Sequence, residues 1–83
     1  MQKVLQFDSM AGAFFVIKCQ NKSFTIQFDE QLLDQFHYDS MVDAVESFVN
    51  ESGFFIYHPE LGYPLDLFDL GVPDDISGWQ SLY

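Results

Sequence analysis

Cys19, His37 and His58 are the conventional nucleophile and base candidates of this chain. Cys19 continues the alternation of Phe15 and Ile17, so it reads as a small buried hydrophobe. A reactive thiol needs positive charge to depress its pKa. Lys18 and Lys22 are near Cys19 in sequence, but nearness in sequence does not supply that environment. His58 precedes Pro59 and reads as a turn residue. One Cys and two His without ligand spacing do not make a zinc site. There is no phosphate-binding glycine loop and no nucleophile elbow. Carboxylates are so numerous that no pair of them signals acid–base catalysis. The expectation is a protein that is not an enzyme and that carries no cofactor.

The carboxylates are the dominant chemistry. Thirteen Asp and Glu face three Lys and no Arg, giving a net charge of -10 over 83 residues. All three lysines lie in the first 22 positions, and every acid except Asp8 lies from Ser23 onward. Such a distribution keeps a chain soluble while destabilising its compact form by self-repulsion. It disfavours direct contact with nucleic acid or anionic membranes, because phosphate binding depends on Lys and Arg. A protein with a basic surface is the expected partner.

Asp39, Asp43, Glu46 and Asn50 recur at four, three and four residues, which places them in one stripe if the segment is helical. Asp34 extends that negative surface upstream. Asp29 and Glu30 have a sufficient explanation as acids in a first helical turn. In the C-terminal segment Asp66, Asp69, Asp74 and Asp75 lie among Leu65, Leu67, Phe68, Leu70 and Val72. Calcium takes carboxylate oxygens, but this spacing lacks the alternating positions, central Gly and terminal Glu of an EF-hand loop. A mixed acidic and apolar surface that grips a partner fits the segment better. Tyr63, Trp79 and Tyr83 join the candidate partner-binding set, since Tyr and Trp combine area with a polar handle. Trp79 and Tyr83, in an irregular tail, are expected to be exposed.

The elements that must position these groups follow from periodicity. Val4–Asp8 reads as a strand, Ser9 to Gly12 as a turn, and Ala13–Gln20 as a second strand. Ser23–Asp29 alternates, with Phe24, Ile26 and Phe28 on one face and Thr25 and Gln27 on the other, expected to meet water. Gln20-Asn21-Lys22 closes a hairpin between the second and third strands. Asp29 is expected to cap a short helix carrying Leu32, Leu33 and Phe36, broken at His37-Tyr38. Ser40 opens a longer helix with Asp43 in the capping-box position and Met41, Val45, Phe48 and Val49 inward. Gly53 ends it. Phe54–His58 is a strand ended by Pro59, Leu65–Leu70 a further strand candidate, and Pro73–Leu82 a helical turn.

The predicted fold is therefore α+β: a three-stranded antiparallel meander, a helix or helix pair packed on one face, then one or two further strands. Residues 1–83 are expected to form one domain, irregular over about 59–83. A single Cys excludes an internal disulfide. The longest apolar run, Ala11 to Ile17, is too short to span a membrane, and no secretory signal pattern is visible, so a cytoplasmic location is expected. The short, acidic, motif-poor profile resembles that of phage-borne anti-restriction and anti-CRISPR proteins. This likeness is one of composition. It implies a small inhibitor that occupies the basic nucleic-acid-binding surface of a nuclease or other DNA- or RNA-handling complex. An immunity protein or antitoxin facing a cognate toxin shares these electrostatics. A housekeeping interaction subunit or homodimer would carry the acidity incidentally.

Self-repulsion has a direct readout. Moderate salt or mildly acidic pH should raise the melting temperature, because both weaken like-charge interaction. A flat response to both would mean that the charges are well separated in the fold.

Overall fold

A computed structural model describes residues 1–58 and 60–83. Its fold is α+β: a five-stranded antiparallel sheet, one helix packed against it, and a small second sheet. Strands β1 (Gln2–Ser9), β2 (Gly12–Lys18), β3 (Phe24–Phe28) and β4 (Gln31–Tyr38) form a meander. Helix α1 (Met41–Glu51) follows, then the hairpin β5 (Phe55–His58) and β6 (Tyr63–Asp66). A 3-10 turn over Ile76–Gly78 leads to β7 (Gln80–Ser81), which returns to the free side of β1. The sheet order is β4-β3-β2-β1-β7. Pro59, expected to end β5, and the side chain of His58 lie outside the described residues.

The meander has four strands, because Gln31–Tyr38 is a strand where a short helix was expected. Asp29 does not cap a helix. It takes a left-handed backbone with φ 51° in the tight turn between β3 and β4, a conformation Asp tolerates better than most residues. Its carboxylate Oδ1 accepts the Ala13 N–H at 2.8 Å, and its own N–H donates to the Ala13 carbonyl at 2.7 Å. Gly12 makes room for this clasp, since a Cβ there would lie 2.5 Å from the Asp29 carboxylate.

The apolar spacing of β4 also has a physical cause. Leu33 is paired with Ile26 and Tyr38 with Phe24, so β4 spends five steps where β3 spends two. The extra residues around Asp34 and Gln35 separate inward Leu33 and Phe36 by three positions, which imitates a helix. Thr25 holds this irregular stretch. Its hydroxyl lies 2.7 Å from the Phe36 carbonyl and 3.1 Å from that of Leu33. Thr25 is consequently 1% exposed, not on a wet face as its alternation suggested.

A second irregularity lies in β1, where Lys3 pairs with Ile17 and Leu5 with Val16. The additional residue, Val4, lets Val4 and Leu5 both enter the core, as a bulge permits. Helix α1 begins as expected: Ser40 is the N-cap, and its hydroxyl accepts the Asp43 N–H at 3.0 Å. It contributes Ala44, Val45, Phe48 and Val49 to the core, and Gly53 follows its end at φ 68°. Phe14 and Phe48, both fully buried, stand 6.0 Å apart between sheet and helix. Phe28, Phe36 and Phe54 complete an aromatic cluster around them.

Thr25→Val tests the pinning of β4. It keeps side-chain shape but removes the one O–H donor that the Phe36 and Leu33 carbonyls share, so unfolding should be easier by about 1–3 kcal/mol. Chemical denaturation measures this. A change near zero would show that the irregular stretch needs no pin.

Candidate functional site

Helix α1 turns its polar side away from the sheet. Ala44, Val45, Phe48 and Val49 occupy the buried side, and at about 100° per residue Asp43, Glu46 and Asn50 fall opposite them. Asp39, exposed just before the N-cap, extends the row. The expected stripe therefore exists. It is lengthened by the tail, because the Asn50 side-chain amide donates to Asp74 Oδ2 at 3.4 Å. Asp34, also exposed, stands apart on β4.

The electrostatics of the helix are lopsided. No basic residue lies in its last turn, while Glu51 does, so a carboxylate faces the negative end of the helix dipole. Asp43 and Glu51, two turns apart on the helix, both act on Tyr38. Burial, then these two carboxylates, push the Tyr38 hydroxyl up to about 12. Asp43 is held by the Ser47 hydroxyl, which donates to its Oδ1 at 2.7 Å. The lysines sit elsewhere: Lys3 on β1, Lys18 on β2 and Lys22 in the turn after it. The Lys3 ammonium lies 4.2 Å from the centre of the Phe15 ring, a cation–π contact.

The C-terminal acids divide by role. Asp66 and Asp69 clasp one another's backbone: the Asp69 N–H donates to Asp66 Oδ1 at 2.8 Å, and the Asp66 N–H to Asp69 Oδ2 at 3.2 Å. Asp75 caps the 3-10 turn by accepting the Ser77 N–H at 2.9 Å, and this bond holds its carboxyl below the usual carboxylate range. These three acids shape the tail. Asp74 is the one that joins the helix stripe. Among the described residues no group of three or more His, Cys, Asp or Glu could hold a metal ion, and no helix is long and apolar enough to cross a membrane.

The aromatic set also divides. Trp79, expected at the surface, is 5% exposed. Its indole N–H donates to the Pro73 carbonyl at 2.9 Å, and its ring lies 6.0 Å from Phe7. The Pro73 bond and the return of β7 to β1 draw this part of the tail into the core, which local irregularity gave no sign of. Tyr63 and Tyr83 are exposed. Cys19 is half-buried beyond the end of β2 and not within a strand.

Sequence reasoning passed over Phe55 and Phe68, which are 60% and 67% exposed. For Phe55 a signal was present. Adjacent residues of an extended chain point to opposite faces, so Phe54 and Phe55 cannot both enter one core. Phe54 does. Phe55, Asp66 and Phe68 line a groove of about 230 Å³ that reaches Asn50 at the end of the acidic stripe. Acidic helix and aromatic hairpin thus meet along one groove. Comparison with family models, curated proteins and solved structures found no match to the chain.

Tyr38 offers a check on this arrangement. Its folded pKa exceeds the ordinary value near 10, so its contribution is fully present below pH 10 and lost as pH rises from 10 through about 12. Alkaline unfolding should be steeper in the wild type than in Tyr38→Phe. Identical slopes over that window would mean that Tyr38 is not shielded as described.

Proposed function

We propose that the chain is a small acidic inhibitor, of the phage anti-defence kind, that occupies the basic nucleic-acid-binding surface of a nuclease or of another protein that handles DNA or RNA. The observation that carries this reading is the polar side of α1: Asp39, Asp43 and Glu46 in a row, prolonged to Asp74 through Asn50, with no basic residue in the helix. Carboxylates three or four residues apart advance by about 4.5–6 Å along a helix. That is the same order as the roughly 3.4 Å of axis per phosphate on one strand of duplex DNA. A basic groove that accepts phosphates can therefore meet this row at several points.

Only the start of the row serves the helix itself: Asp39 and Asp43 lie at the positive end of its dipole, and Glu46 lies beyond it. Like charges on one helix side and an acid in the last turn each cost a few tenths of a kcal/mol. No Lys or Arg within α1 offsets that. A surface kept at such a cost is understandable if a partner supplies the missing cations. Attraction of this type is long-ranged and speeds association, and it is screened over about 8 Å at physiological ionic strength.

The test is capture from host-cell lysate with the wild type and with Asp39→Lys/Glu46→Lys. Both positions are exposed, and neither side chain is needed for the N-cap, so the variant should fold. The expected result is a nucleic-acid-binding protein that is held by the wild type at low salt, displaced by DNA, and released by the variant. Capture of a cognate toxin through the same residues would make the chain an immunity protein or antitoxin instead. Partner binding that survives the charge reversal and shows no salt dependence would end the electrostatic account.

A further inference from the structure

Every open sheet edge invites another chain, because its N–H and C=O groups lack partners. Four such edges exist among the described strands. The β4 edge is interrupted by the irregular stretch around Asp34 and Gln35. The β7 edge is two residues long. The β6 edge is blunted twice. Pro64 has no N–H to offer, and Asp66 is already engaged: its N–H goes to Asp69 Oδ2 and its carbonyl accepts the Leu70 N–H at 3.1 Å.

The bonds of Asp66 also fix the pattern of the hairpin. They point away from β5, so Asp66 and its partner Phe55 form a non-hydrogen-bonded pair. Tyr57 and Pro64, two steps on, form another, which suits a residue without an N–H. In pairs of this kind the backbone groups of Phe55 and Tyr57 point outward from the hairpin. Neither residue makes a hydrogen bond outside the ladder among the described residues. Their side chains share one face of the hairpin and are 60% and 62% exposed, beside the equally open Phe68. The β5 edge is thus the one left bare, and it is lined with aromatic rings.

We propose that the outer edge of β5 is a strand-addition site for an extended segment of a partner protein in which basic and apolar residues alternate. The backbone of that segment pairs with Phe55 and Tyr57, as in other cases of β-augmentation. Its basic side chains lie on the face of the two rings and Asp66, and its apolar side chains continue the opposite face, that of Ile56. Its basic residues are called for by charge. Asp66 shares the face of Phe55, Glu60 and Asp69 are exposed nearby in the chain, and no Lys or Arg occurs after Lys22. A second copy of the chain fits the geometry but brings a further charge of -10 against the same surface. This site does not rest on the inhibitor reading, which concerns α1.

The probes are a short capped peptide alternating Lys and Val, the same peptide with Glu for Lys, and the Lys peptide N-methylated at every amide. Nuclear magnetic resonance of the full chain follows the Phe55 and Tyr57 amides. The Lys peptide should shift both signals and slow their hydrogen exchange. The Glu and N-methylated peptides should bind at least about tenfold more weakly, the scale of one lost hydrogen bond. Tyr57→Pro should weaken the Lys peptide likewise, because it removes an outward N–H and leaves the ladder to β6 intact. Equal binding of the N-methylated peptide, or shifts centred on Asp39 and Glu46, would reduce the interaction to charge alone and overturn the site. Protection of the Phe55 and Tyr57 amides without peptide, with a dimer in sedimentation, would assign the edge to a second copy and overturn it also. Asp39→Lys/Glu46→Lys leaves β5 untouched, so the two proposals fail separately.

Discussion

The contact between Phe48 and Phe14 is the one on which the other elements depend. Phe48 is the largest inward residue of α1, Phe14 that of β2, and both are fully removed from solvent. Phe28 from β3, Phe36 from β4 and Phe54 ahead of β5 surround them at centroid separations of 4.7–6.1 Å. A chain of this length has few core positions and a burden of like charge. Large rings answer the first problem, since each buries ~150–250 Å². They also place five chain segments in register about one point. Moving Phe48 would displace the helix, and with it the acidic row on the opposite side.

The sequence was most legible where pattern and burial agree. Phe24, Ile26 and Phe28 lie on the core side of β3, Ser40 caps α1, and Gly53 follows its end, all as periodicity and capping rules require. It was least legible where a local pattern was overridden at long range. Leu33 and Phe36 are three apart because β4 carries extra residues, and only the contact of Thr25 with their carbonyls makes that arrangement sensible. Asp29 looks like a cap from its neighbours, yet its carboxylate answers an N–H sixteen residues earlier. Trp79 is buried by partners, Pro73 and Phe7, that no short window connects.

The candidate surfaces show the same division. The row Asp39, Asp43, Glu46 was readable because helical spacing alone puts those residues together. Asp74 was not separable from Asp66, Asp69 and Asp75 in sequence. All four are acids in a Pro- and Gly-punctuated segment, and only hydrogen-bond geometry distinguishes three that fold the tail from one that reaches the helix. The hairpin aromatics follow a stricter rule. Phe54 and Phe55 have identical side chains, and the alternation of an extended chain sends one to the core and one to water.

Acidity also bears on how so small a protein keeps its edges from pairing at random. An edge strand is normally protected by charge, proline, brevity or irregularity, and three of the four edges use one of these devices. The β5 edge has none on its own strand, where Phe55, Ile56 and Tyr57 stand in succession. Its protection against a second copy comes instead from the whole molecule, through repulsion between two chains of charge -10. That protection is selective. It weakens against any surface that is neutral and reverses against one that is basic. The same charge that makes the helix row a poor contributor to stability thus permits an aromatic edge to stay open, so the two surfaces on either side of the Asn50 groove share one electrostatic condition.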